Sequence, residues 1–469
     1  MEAPLRSPAV AFDDVPGSLP EASVPPDADL NAVAQSALEG LNSLRREAWA
    51  SDAIWRDLLA FTDNFRTFNS QDKVYHAFRK LQAQKKCSPF ELATSDPRVS
   101  AFGCVDIEVR FTTQHGHLQG SGAGIVSVIL VEGQWRIWML RTWLENFRGH
   151  GHPDVDLLRS EPPTIVNGHI EGVSNGTANG STQDHAYGAI VVGGGQAGLC
   201  TAGRLQALGV DYVLLERFPE VGDVWKGRYD KLRFHTSKDF GVLPFKWRYP
   251  EEDDNMLPTS RIGAGHSSWA KQFGINVRTN MSVVSGTYDS AGQVWTVVAD
   301  NDGKEVTYRA RNLVLCIGPG LSTFRYPDWA TPDKVQQSGF KGDILHGLQY
   351  KSAKPWAGKR GIVVGSANTG NDVAEDMADF GLDTTMIQRN PTLVIPAEWI
   401  HAEHDRDYHP GKLAAVADRE LVTLPNKIVR EATNRAIHHM TDLESARFDA
   451  LEKAGFRVRI LMAVTLGGC

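Results

Sequence analysis

Paired cysteines are the first thing this 469-residue sequence lacks. Its five cysteines (Cys87, Cys104, Cys200, Cys316 and Cys469) are scattered, and no C-x-x-C occurs anywhere. That excludes the common zinc frameworks and a paired redox-cysteine site, so no metal is expected, and a reducing, cytoplasmic compartment is the simplest fit. A basic excess is missing too: 49 Lys and Arg stand against 56 Asp and Glu, a formal net charge of -7. Nucleic-acid binders usually carry the opposite balance, so no nucleic-acid partner is expected. No apolar run approaches the roughly 18 residues of a membrane span. The first 30 residues hold six prolines and several acids, but not the apolar stretch of a signal peptide.

What is present is ample apolar material, 42% of residues against 22% charged, in a chain long enough for roughly two to four domains. Residues 1–38, rich in Pro, Ala and Asp, read as disordered. Residues 39–150 read as a small α+β domain. The segments Trp55–Arg66 and Val74–Leu81 space their apolar residues at helical intervals, and strand-like alternation follows in Val105–Phe111 and Gly124–Val131. A turn at Gly133-Gln134 then leads into Trp135–Trp143. Helices followed by an antiparallel sheet predict that class. Residues 151–186, dense in Pro, Gly, Ser and Asn, read as a flexible linker. Two strand–glycine–helix units follow, about 170 residues apart, in domains placed at 187–330 and 331–469. The expected class is therefore α/β, with two Rossmann-like dinucleotide-binding domains behind the α+β domain.

The first unit opens with the apolar run Ala189-Ile-Val-Val and turns at Gly193-Gly-Gly-Gln-Ala-Gly198. A helix over Leu199–Leu208 and a strand over Val210–Glu216 are expected next. Gly193 permits the tight turn, Gly195 lets backbone approach a pyrophosphate, and Gly198 lets helix and strand pack closely. Gln196 and Ala197 open the helix, whose free N–H groups and dipole favour phosphate. Glu216, 18 residues after Gly198, stands where a carboxylate can accept the ribose hydroxyls. A lone glycine fingerprint is weak evidence, but strand, turn, helix, strand and acid arrive here in order.

The second unit runs Arg360-Gly-Ile-Val-Val, then Gly365-Ser-Ala-Asn-Thr-Gly370, then a helix over Asn371–Gly381. Ala367 replaces the central glycine, and its methyl narrows the approach to a pyrophosphate. Asn368 and Thr369 complete the turn. The next strand ends in Arg389, 19 residues after Gly370, rather than in an acid. An arginine there can pair with a 2′-phosphate that a carboxylate would repel, which favours NADPH over NADH. A solvated surface arginine is the alternative.

Between the units, Phe340-Lys-Gly-Asp-Ile-Leu-His-Gly-Leu-Gln-Tyr350 fits the pattern F-x-G-x-x-x-H-x-x-x-Y at Phe340, Gly342, His346 and Tyr350. The segment Glu216-Arg-Phe-Pro-Glu-Val-Gly-Asp-Val-Trp225 carries a G-x-x-W element at Gly222 and Trp225. On these motifs the stretch Gly188–Trp399 resembles the flavin-containing monooxygenases, the class B flavoprotein enzymes that include the plant auxin-forming ones. The resemblance implies FAD at the first turn, with Arg217, Gly222 and Trp225 beside it, and NADPH at the second. For Trp225 alone, a core aromatic reads equally well. It also implies a C4a-hydroperoxyflavin that passes one atom of O2 to a nitrogen or sulfur of a small-molecule substrate, as in N,N-dimethylaniline monooxygenase. His346 is expected to act as a positioning group in that chemistry, or as a hydrogen-bonded hinge residue. Baeyer–Villiger relatives carry Trp where this chain has Tyr350, so that activity is the alternative. Ile317 stands where relatives place the Thr of Ala-Thr-Gly.

Two further readings come from the ends of the chain. The N-terminal pattern resembles domains of the nuclear transport factor and ketosteroid isomerase type, and the arrangement resembles fungal family members. Nothing after Arg389 resembles the segment that closes the FAD domain in relatives, so that domain is expected to be incomplete at its C-terminus, with weak FAD retention. A non-catalytic cofactor-binding remnant is a second alternative. A disulfide reductase is disfavoured by the absent cysteine pair. Homodimer formation is left open.

Overall fold

The computed structural model describes residues 16–21, 23–94, 96–154, 165–166, 169–170, 186–318 and 325–458. They form two compact units. One comprises the described residues up to His152 together with Val416–Leu443; the other comprises those of Pro153–Ala415 and from Glu444 onward.

In the first unit, α1 (Leu30–Asn42) starts at Asp29, whose carboxylate accepts the N–H groups of Asn31 and Ala32 at 3.1 and 3.0 Å. Then come β1 (Trp49–Leu58), β2 (Phe65–Asn69), α2 (Gln71–Gln84), β3 (Glu91–Leu92), β4 (Arg98–Val99), β5 (Val105–His115), β6 (Leu118–Val131) and β7 (Gln134–Phe147). The strands form one sheet in the order β2-β1-β7-β6-β5-β3, with β4 also on β5. Only β1 and β7 pair in parallel. The β6–β7 turn uses Glu132 and Gly133 at φ 49° and 76°, the positive pair that a two-residue hairpin requires.

The helices pack on one face of this sheet over Trp49, Trp55, Phe61, Phe78, Phe90 and Phe111. These rings interlock, for example Phe90 on Phe111 at 4.6 Å and Trp55 on Phe78 at 5.3 Å. Burying each contributes roughly 1.5–3 kcal/mol. The other face, at Ala50, Ile54, Ile129, Trp138 and Met139, packs against Leu19 and Ile428.

Three expectations change here. Trp55–Arg66 is not a helix but the end of β1, a turn and the start of β2. Short apolar runs fit both periods, and the decision lies with Asp57. Its fully buried carboxylate accepts the N–H groups of Phe61 and Thr62 and the hydroxyls of Thr62 and Thr142, which fixes a turn directly after the strand. Of the segment 1–38 read as disordered, 1–15 and 22 lie outside the described residues; in the rest Leu19 is buried with its N–H donated to Glu431 at 2.9 Å, and α1 begins at Leu30. Finally, Val416–Leu443, read from sequence as part of the second nucleotide domain, pack with the N-terminal sheet. Arg141, buried in that sheet, donates to the Glu420 carbonyl at 3.1 Å and pairs with Asp106 at 3.3 Å.

The second unit begins with a short ladder of β8 (Ile165–Val166) on β9 (His169–Ile170); most of the predicted linker, 151–186, lies outside the described residues. Its main sheet runs β12-β11-β10-β15-β14-β13. The strands are β10 (Ala186–Val192), β11 (Tyr212–Leu215), β12 (Val277–Arg278), β13 (Ser282–Asp289), β14 (Val294–Asn301) and β15 (Lys304–Leu315). Strands β12, β11, β10 and β15 are mutually parallel, while β13–β15 form an antiparallel meander. Helices α3 (Gln196–Ala207), α4 (Asp223–Lys226) and α5 (Thr259–Gln272) connect the early strands. Strands buried on both faces read as continuous apolar runs. Ala189, Val191 and Leu214 pack toward Leu199, Ala202 and Trp269, whereas Ile190, Val192, Val213 and Leu215 meet Val297, Ala299 and Tyr308 of the meander.

After α6 (Pro332–Gln337), the second Rossmann-like element is β16 (Arg360–Val364), α7 (Asn368–Asp379) and β17 (Asp383–Ile387), its strands parallel with Val364 opposite Ile387. Ile362, Val364 and Ile387 are exposed. The C-terminal tail from residue 459 lies outside the described residues.

Candidate dinucleotide sites

Both glycine turns sit at the carboxyl end of a parallel strand and open into a helix, the place where open α/β sheets bind ligands. At the first, Gly193 has φ +103°, and a β-carbon there would stand 2.4 Å from the Cys316 carbonyl oxygen. A β-carbon on Gly198 would stand 1.8 Å from the Gly193 oxygen. These two positions therefore need glycine for the turn itself. Gly195 does not: its φ and ψ of -76° and -174° suit any residue, and nothing lies within 4 Å of where its β-carbon would be. That open space is what a diphosphate needs above the unpaired N–H groups of Gln196, Ala197 and Gly198.

Glu216 follows β11 and is buried. One carboxylate oxygen accepts the Gly194 N–H at 2.5 Å and the other the Phe218 N–H at 2.9 Å. Two donors thus fix the carboxylate against the turn, and each oxygen keeps a lone pair for a ribose hydroxyl. Arg217 points elsewhere: it is exposed, with its guanidinium 4.7 Å over the Phe218 ring. Gly222, at φ +93°, caps α4, and a β-carbon there would meet the Gly263 oxygen at 2.2 Å, so packing alone demands glycine. Trp225 is half-buried and meets Phe234 edge-on at 5.6 Å. Ile317, beyond β15, is 63% exposed beside the turn.

The second turn repeats the first. Gly365 has φ +114°, and a β-carbon on Gly370 would stand 2.2 Å from its oxygen. Ala367 occupies the equivalent of Gly195 with φ -82° and ψ 178°. An alanine adopts that conformation freely, so the substitution costs no backbone strain and adds only a methyl at the mouth. Asn368 is exposed and Thr369 half-buried. Arg389, just past β17, is exposed, and among the described residues no carboxylate lies within ion-pair distance of it. Arg457 adds a second cation that sequence reading missed, its guanidinium donating to the Gln388 and Arg389 carbonyls at 2.8 and 3.0 Å.

The signature segment leans on this second turn, since a β-carbon on Gly347 would touch the Thr369 methyl at 3.4 Å. His346 is half-buried. Its Nδ1 accepts the Leu348 N–H at 3.2 Å, and its ring meets Tyr326 edge-on at 5.7 Å. The Tyr350 hydroxyl donates to the buried Asp376 carboxylate of α7 at 2.5 Å, and the Ala353 N–H donates to the same oxygen at 2.7 Å. Burial, then Asp376, pushes the Tyr350 hydroxyl above its ordinary pKa, so it stays a donor.

Comparison with known proteins covers the same region. Residues 190–410 match the family model described as pyridine nucleotide-disulphide oxidoreductase. A probable indole-3-pyruvate monooxygenase, YUCCA9 of Arabidopsis thaliana, is 34% identical over 217 residues, which are 45% of this chain and 49% of the relative. The indole-3-pyruvate monooxygenase YUCCA1 of Oryza sativa subsp. japonica is 34% identical over 212 residues, 45% of this chain and 50% of the relative. Over this segment the chain is similar to enzymes of the flavin-containing monooxygenase family. The chain spans about half the length of the curated relatives it matches. Among solved structures, a flavin-containing monooxygenase from Stenotrophomonas maltophilia aligns at 22% identity with a TM-score of 0.39, covering 45% of this chain and 60% of that one. The family's enzymes use FAD and NADPH, and both turns found here are of the dinucleotide-binding kind.

Proposed function

We propose that this chain is a flavin-dependent monooxygenase that binds FAD at the Gly193–Gly198 turn and NADPH at the Gly365–Gly370 turn. Its proposed reaction inserts one atom of O2 into a nitrogen or sulfur of a small molecule. The observation that carries this reading is a pair of glycine turns with like backbone geometry and opposite charges after them: a buried Glu216 behind the first and, behind the second, an exposed Arg389 with no ion pair among the described residues. The first cradle fits FAD because the space over Gly195 is open and Glu216 is held ready for ribose.

FAD, once bound, supplies the redox and oxygen chemistry. The chain's residues bind and orient. The N–H groups of Gln196, Ala197 and Gly198 would receive one diphosphate, and those of Asn368, Thr369 and Gly370 the other. Arg389 would pair with the 2′-phosphate, which distinguishes NADPH from NADH. Gly222 and Trp225 would flank the flavin. His346, held by Leu348 and Tyr326, would position the reduced nicotinamide as part of the loop against Thr369.

The test is spectroscopic. The purified chain, loaded with FAD and mixed anaerobically with NADPH, should lose the visible absorbance of oxidised flavin and regain it on aeration. A protein that binds FAD yet stays oxidised under NADPH refutes the assignment.

A further inference from the structure

Helix α7 carries Asp372, Glu375, Asp376 and Asp379 along one face, at the three- and four-residue spacing of helical neighbours. Every one of them is engaged by residues outside the helix. The Tyr229 hydroxyl donates to Asp372 at 2.7 Å, and the His235 imidazole lies 3.7 Å from the same oxygen. Lys231 pairs with Asp379 and, at 3.5 Å, with Glu375. Tyr350 and Ala353 hold Asp376.

Three of those partners, Tyr229, Lys231 and His235, come from the stretch that directly follows the G-x-x-W element. The G-x-x-W element before it is held by close packing and its own backbone hydrogen bonds. Gly222 abuts the Gly263 carbonyl, the Gly227 N–H returns to the Asp223 carbonyl at 2.8 Å, and the Arg228 N–H returns to that of Trp225 at 3.0 Å. Lys351, next to Tyr350, donates to the Gly227 carbonyl and accepts the Asp230 N–H at 2.9 Å. At the other end, Asp372 lies in the second turn of α7, two residues after Gly370. Thr369 of the glycine turn is also near enough to the Tyr229 hydroxyl to lower its pKa. Burial, then Asp372, pushes that hydroxyl's pKa up to about 12, so it remains a proton donor. One buried hydroxyl thus ties the loop beside the first dinucleotide site to the helix N-terminus of the second.

We infer that Tyr229 and Asp372 couple the two sites, so that dinucleotide bound at either one raises the affinity of the other. The inference rests on the proposed assignment of FAD and NADPH. Its physical basis is shared ordering: a ligand that fixes Trp225 and its loop also fixes Tyr229, and Tyr229 holds Asp372 near the start of α7. The second ligand then meets a turn already in its binding conformation. Tyr229 and Asp372 are positioning residues, since neither lies within the glycine turns.

The experiment is a calorimetric titration of NADP+ into the full chain, once stripped of flavin and once loaded with FAD. The wild-type chain should bind NADP+ at least about fivefold tighter when FAD is present, and by reciprocity FAD should gain the same factor from NADP+. Tyr229→Phe, which keeps the ring, and Asp372→Ala should each bring that ratio close to one. Asp372→Asn, which keeps an acceptor oxygen, should retain most of it. A ratio left at the wild-type value by both Tyr229→Phe and Asp372→Ala overturns the inference while the assignment of the two sites stands. A wild-type ratio of one does the same. A wild-type chain that takes up neither dinucleotide overturns the assignment and the inference together.

Discussion

Replacing Gly198 with alanine should damage the first nucleotide site and its fold together, whereas replacing Gly195 should damage the site alone. At position 198 the new methyl would stand 1.8 Å from the Gly193 carbonyl oxygen and 3.0 Å from its carbon. Both are backbone atoms at the end of β10, so no side chain can swing aside. Helix α3 must retreat from the strand by more than an ångström to restore ordinary contact. Overpacking of that kind costs about 1–3 kcal/mol, which in a unit of this size lowers the melting temperature by roughly 2–4 °C per kcal/mol. The retreat also withdraws the N–H groups of Gln196 and Ala197 from the diphosphate. At position 195 the methyl enters open space with no backbone strain. Stability should then stay within about 0.5 kcal/mol of wild type, while FAD affinity falls tenfold or more, about 1.4 kcal/mol. Thermal melts and FAD fluorescence titrations on both variants separate the two effects. If Gly198→Ala melts with the wild type and holds FAD as tightly, the argument from the turn geometry is wrong.

Arg389→Ala should weaken NADP+ binding by about 1.5–3 kcal/mol, the worth of charge-assisted hydrogen bonds, and leave NAD+ binding unchanged in parallel titrations; equal losses for both would remove the 2′-phosphate from the picture. His266 is fully buried, neither ring nitrogen has a partner, and burial pushes its pKa down to about 4. Its neutral form therefore contributes stability that is fully present above the ordinary value of 6.5 and is lost as pH falls toward 4. The full loss amounts to about 3 kcal/mol. Denaturant melts at stepped pH should show this slope, and His266→Leu should flatten it. Ile428→Asp buries a carboxylate against Leu19, Ile54 and Met139; limited proteolysis should then cut within Val416–Leu443 while the Gly193 turn still takes up FAD.

The parts of this protein that sequence made legible are those whose constraint is local. A positive φ at Gly193 and Gly365 is a property of one residue and its neighbours, so the turns, their helices and the strand-end residues Glu216 and Arg389 could be placed from spacing. Ala367 was the instructive exception. Composition suggested a weakened fingerprint, and only backbone angles show that its position tolerates alanine. The helix expected at Trp55–Arg66 failed for the opposite reason. Its apolar spacing suited either period, and the choice lay with the Asp57 carboxylate and its bond to Thr142, 85 residues away.

Spacing within the chain thus determined where the two glycine turns lie, because a tight turn into a helix is paid for by glycines adjacent in sequence. Tertiary structure alone decided which surfaces those elements meet. The helix Asn426–Leu443 could have packed on any apolar face, and it lies on the N-terminal sheet because Ile54, Trp138 and Met139 from separate strands converge there around Ile428. Tyr229 met Asp372 by the same kind of convergence. A hydroxyl and a carboxylate 143 residues apart have no relation in sequence until the loop after α4 and the helix α7 meet at hydrogen-bond distance.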